Sequence, residues 1–160
     1  MDEGSQMRLT LTASLPQQLP SIGEARRILD VLLSLTTAEE QARDHVALLI
    51  TEACANVVRH GSPGTTIDLH VTIESDTCLL KVGNRGRLPN GGKLPTRLPD
   101  PDQTNGRGLP LISALSDSAD FVSTTPGYVL LRITRHLRAD PARAHATGAT
   151  RGLASGAGGS

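Results

Sequence analysis

The chain has 160 residues, 38% of them hydrophobic and 20% charged, with sixteen basic residues balancing sixteen acidic ones. That length implies one domain with a real core, and the neutral balance argues against direct nucleic-acid or anionic-membrane binding. One Phe, one Tyr and no Trp leave almost nothing on which to stack single-stranded bases and make the core aliphatic.

No apolar run comes near the roughly 20 residues that a membrane-spanning helix needs. The opening MDEGSQMRLT lacks the apolar stretch of a signal peptide. Cys54 and Cys78 have no Cys-x-x-Cys spacing. They read as reduced core thiols in a cytoplasmic protein.

Residues 1–7 read as a flexible N-terminus. RLTLTA (8–13) alternates polar and apolar residues, as a short half-buried strand does. Ser21 and Glu24 form a capping-box pattern, and Ile22, Ala25, Ile28, Leu29, Leu32 and Leu33 follow at helical spacing to about Leu35. A second capping box, Thr37 with Glu40, opens a second helix whose stripe is Ala42, Val46, Leu49, Ile50, Ala53 and Val57, with Gly61 as a stop. TIDLHVTIE (66–74) is a strand with one wet face. CLLKV (78–82) is its hairpin partner across a turn at Asp76.

Periodicity then disappears from 85 to 106, which holds four prolines and four glycines; a loop of that length inside a compact domain usually has a function. A third helix is predicted from Gly108–Leu109 to about Ser116, with Pro110 tolerated in its first turn. Strands at 119–125 and 128–136 follow, joined at Pro126-Gly127. From Arg138 onward only Leu153 is a large aliphatic residue, so 138–160 is expected to be a disordered tail. The order β-α-α-β-β-loop-α-β-β implies an α+β fold: a two-layer α/β sandwich with a mainly antiparallel sheet and three helices on one face.

Three short stretches stand apart from this pattern. Glu52 and Asn56, one turn apart, adjoin the apolar stripe of the second helix. VGNRG (82–86) runs a strand into a glycine, and NGRGLPLI (105–112) opens a helix with a glycine pair, where unpaired backbone N–H groups favour anions. Each alone has a plain structural explanation: a solvated helix acid, an amide bonded to backbone, an ordinary loop.

Together and in this order they resemble the histidine-kinase-like ATPase domain, the Bergerat fold, and more narrowly the anti-sigma-factor serine/threonine kinases. TEACANVVRHG resembles the N box, VGNRG the first glycine box and GRGLPLISALSD the second. The resemblance spans about residues 8–136, puts the domain at 8–137, and makes 85–106 an ATP lid. It implies ATP and Mg²⁺ as cofactors, with Asn56 as the Mg²⁺ ligand, since its amide oxygen is a hard donor. Glu52 would be the general base that takes a proton from an attacking hydroxyl. Asn56, Arg59, Asn84, Gly86, Gly106, Arg107, Gly108 and Leu109 would contact the nucleotide. The expected partners are a sigma factor and an anti-sigma-factor antagonist, and a homodimer is consistent with the resemblance.

The match has breaks. The family's first box is Asp-x-Gly-x-Gly, and here Asn84 replaces the adenine-binding Asp while Arg87 replaces the second Gly. A neutral amide accepts a weaker hydrogen bond than a carboxylate, whereas Arg87 brings bulk together with a charge suited to phosphate. Thr104 stands where active relatives often carry an arginine. The alternative expectation is therefore a degenerate module that keeps the fold and sequesters a partner without phosphoryl transfer.

Overall fold

The computed structural model describes residues 6–95 and 108–139. The predicted tail beyond 139, the lid residues 96–106, and with them Thr104, Gly106 and Arg107, lie outside the described residues. So do residues 1–5.

The strands are β1 (Arg8–Pro16), β2 (Thr66–Glu74), β3 (Thr77–Arg85), β4 (Ser118–Thr125) and β5 (Tyr128–His136). They form one five-stranded sheet in the order β1-β2-β3-β5-β4, with every neighbouring pair antiparallel. Alternation decides which face is covered. Ile67, Leu69, Val71 and Ile73 of β2 point inward with Cys78, Leu80 and Val82 of β3 and Leu131 and Ile133 of β5. The helices α1 (Leu19–Ser34), α2 (Glu40–His60) and α3 (Gly108–Leu115) meet that face through Leu29, Leu33, Val46, Leu49, Ile50, Ala53 and Ile112. The two-layer α+β sandwich is the predicted one. No helix among the described residues is long and apolar enough to cross a membrane.

Both predicted capping boxes are absent. Helix α1 begins at Leu19 with Pro20 in its first turn, and no side chain caps it. Proline is preorganised for that turn and has no N–H to leave unpaired, so Ser21 falls inside the helix and is buried. Helix α2 begins at Glu40, not at Thr37, again without a side-chain cap. Its start is set from outside: the Glu39 N–H donates to the Leu137 carbonyl at 2.8 Å, tying the link between the helices to the exit of β5. Thr36 turns back instead, its hydroxyl donating to the Leu33 carbonyl at 2.7 Å.

Cys54 and Cys78 are free and buried, and burial pushes both thiols up to about 12, which makes them unreactive core residues. On the open face of the sheet, Tyr128 lies over Gly83 and donates to Asp68 Oδ2 at 2.8 Å. Partial burial alone would raise the Asp68 carboxyl. Hydroxyls of Ser14, Tyr128 and Thr66 and the charge of Arg85 outweigh it and hold the group below the usual carboxylate range. This network braces the end of β3, from which the first glycine-box segment departs.

Candidate functional site

Helix α2 carries its apolar stripe to Val57, and the side chains of its last two turns that leave the stripe face a cavity of about 700 Å³. Three segments line it. Glu52, Asn56, Arg59 and His60 come from α2, Arg87, Leu88 and Pro89 from the segment after β3, Pro95 from farther along it, and Gly108 and Leu109 from the first turn of α3. Its size suits a small-molecule site. A second cavity of about 800 Å³ lies between α1 and α2, where Arg26, Arg27 and Arg43 face Asp30, Glu40 and Asp44. Its charges balance and Arg43 pairs with Asp30 at 2.9 Å, so it offers no comparable chemistry.

Glu52 and Asn56 are both half-buried. A β carbon placed on Gly108 would stand 2.7 Å from Glu52 Oε2, so the carboxylate lies directly against the start of α3. Only a residue without a side chain permits that approach. Glu52, Asn56, Arg59, His60 and Arg87 make no hydrogen bond or ion pair with any other described residue. Glu52 is the single acid among these lining residues, beside two arginines and a histidine.

The first glycine box is placed differently. Asn84 is buried and its Nδ2 donates to the Arg85 carbonyl at 2.8 Å. That bond fixes the amide orientation and leaves Oδ1 as its acceptor. Neither Asn84 nor Gly86 lines the cavity; both lie against Gly61, just past α2. Gly61 is needed for space, since its φ of −66° is ordinary, while a β carbon there would meet the Val57 carbonyl at 2.6 Å and Gln17 Nε2 at 2.9 Å. The predicted stop is correct, though not through a left-handed cap.

Of the predicted site residues, Glu52, Asn56, Arg59, Gly108 and Leu109 share the cavity; Asn84 and Gly86 flank it; Gly106 and Arg107 lie outside the described residues. Two features lie beyond the predicted set of site residues. Arg87, an irregularity in the sequence, is part of the wall. Gln17, from the link between β1 and α1, donates to the Val57 carbonyl at 2.9 Å and braces the end of α2. Nothing in the local sequence around Gln17 marks it.

Comparison with known proteins bears on the family and the fold. The family described as the histidine kinase-like ATPase domain matches residues 15–135. Among solved structures, the chain is similar to the RsbU and RsbW domains of Rv1364c from Mycobacterium tuberculosis, at 18% identity and a TM-score of 0.61. The match covers 81% of this chain and 32% of that one, so this chain spans about a third of its neighbour's length. That likeness establishes a shared fold. No curated protein matches the chain.

Proposed function

Because this chain belongs to the histidine kinase-like ATPase domain family, we propose that it binds ATP with Mg²⁺ and acts as an anti-sigma factor with serine/threonine kinase activity toward an anti-sigma-antagonist protein. The observation that carries this reading is the shared cavity: Glu52 and Asn56 on one helix, the glycine start of another opposite, and a cationic rim. The likeness to a chain bearing an RsbW domain supports the same class of partners.

The residues present fit the cofactors. No group of three or more His, Cys, Asp or Glu side chains that could hold a metal ion occurs among the described residues. An all-protein cage is not what Mg²⁺ requires: it commonly takes one or two protein oxygens and completes its shell with water and phosphate. Asn56 would supply that oxygen, and the bound ion would neutralise charge on the phosphates. The start of α3 would present N–H groups to the phosphate tail. Arg59 would add positive charge from the last turn of α2, and His60 a ring nitrogen able to hydrogen-bond.

Glu52 would accept the proton of an incoming serine hydroxyl as phosphate leaves ATP. A positioned base of this kind is worth about 10²–10⁴-fold. Its place against Gly108 keeps the carboxylate beside the phosphate-binding turn. Asn84, with its NH₂ held by Arg85, keeps Oδ1 as an acceptor but stands outside the described cavity lining, so this geometry gives the predicted adenine contact no support.

One observation favours a second reading. Asn84 is neutral, buried and outside the cavity lining, and any bond it made to adenine would lack the charge that strengthens the family's version. The second reading keeps the fold as a partner-docking module without phosphoryl transfer. Incubation with ³²P-labelled ATP and candidate antagonists separates the two. Label on a serine of the antagonist, lost in Glu52→Ala, supports the kinase; label no greater than that of Glu52→Ala refutes it.

A further inference from the structure

The stretch RGRL (85–88) places two arginines two residues apart at the end of β3, and they lead in different directions. The backbone between them is held on both sides. The Arg85 carbonyl accepts from the Ser62 N–H at 2.9 Å, and the Gly86 N–H donates to the Gly127 carbonyl at 3.0 Å. Arg85 acts on Asp68, where its positive charge helps to keep that carboxyl ionised. It therefore has a duty on the open face of the sheet. Arg87, past the end of the strand, lines the cavity with Glu52, Asn56 and Gly108.

Arg87 engages no other described residue. Arg59 lies in the last turn of α2, where a cation already complements the helix dipole. Arg87 has no such structural role among the described residues. Among the described lining residues, two guanidinium groups thus stand against one carboxylate, a local surplus of positive charge that favours an anion. A guanidinium presents paired N–H donors that match phosphate oxygens.

We propose that Arg87 is a ligand of the nucleotide's phosphate tail, reaching it from the wall formed by the segment after β3 while Asn56 serves from α2. The proposal rests on the nucleotide reading above and assigns within it a residue that breaks the family's glycine pattern. The irregularity at position 87 is then a gain in phosphate contact in place of backbone flexibility.

The test is calorimetric titration of the full chain with AMP, ADP and ATP, each with Mg²⁺. The proteins are wild type, Arg87→Ala, Arg87→Gly, Arg87→Lys and, as a reference, Asn56→Ala. Arg87→Ala and Arg87→Gly should weaken ATP roughly tenfold to a hundredfold, the range for a hydrogen bond to a charged group. ADP should lose less, AMP should be unaffected, and Arg87→Lys should retain part of the affinity. If Arg87→Ala binds ATP as wild type does, or Arg87→Gly binds it more tightly, while Asn56→Ala weakens it, the role of Arg87 is overturned and the nucleotide site stands. An equal loss for AMP also overturns it, since the contact would not be to the outer phosphates. If wild type binds none of the three, the nucleotide reading fails and takes this proposal with it. Arg87 is exposed, so thermal unfolding should be unchanged in its variants.

Discussion

Gly61, just past α2, and Gly108, the first residue of α3, both leave no room for a β carbon, yet what fills the space differs. At Gly61 the obstacle is backbone, the Val57 carbonyl at 2.6 Å, with Gln17 Nε2 at 2.9 Å and Asn84 Nδ2 at 3.0 Å behind it. At Gly108 it is Glu52 Oε2 at 2.7 Å, the free end of a side chain that can swing away. The first glycine holds three segments together: the end of α2, the link after β1 and the end of β3. The second lets a carboxylate rest against a helix start. One glycine thus serves packing, and the other, on the proposed reading, seats a carboxylate in the cavity.

Substitutions at the two positions should therefore fail in different ways. Gly61→Ala is the larger effect on the fold: a clash with backbone cannot relax by rotamer change, and the expected loss is about 2–3 kcal/mol of unfolding free energy. Denaturant unfolding checks it, and a loss below ~0.5 kcal/mol would erase the contrast. Gly108→Ala should cost little stability, because Glu52 can move. It should slow phosphoryl transfer about tenfold, which is ~1.4 kcal/mol of barrier, while ATP affinity changes less. Should Gly108→Ala instead unfold the protein as Gly61→Ala does, the carboxylate contact is merely packing.

The scaffold was largely legible and the site only in part, for physical reasons. The stripe from Ala42 to Val57 and the alternation in β2 record burial directly, because each position's face follows from a fixed period. The starts of α1 and α2, unlike that of α3, differ from the predicted ones because they depend on distant or overriding groups. Pro20 seeds α1 before Ser21 can cap it, and Leu137, about a hundred residues along the chain, anchors Glu39.

Among the site residues, Glu52, Asn56 and Gly108 could be found because a motif ties them together, and the fold does gather them. Asn84 belonged to the same motif set, yet it lies behind Gly61, spending its NH₂ on the Arg85 carbonyl. The direction taken by Arg87 could not be read locally, since strand register and the Gly86–Gly127 bond determine it.

The central claim is that the polar face of α2 and the start of α3 together hold a triphosphate. Titration of ATP with Mg²⁺ into wild type and Asn56→Ala tests it most directly. Binding near 1 μM, about −8 kcal/mol, that weakens at least tenfold in Asn56→Ala is the expected result. No binding by wild type, or the same affinity in both proteins, would contradict it.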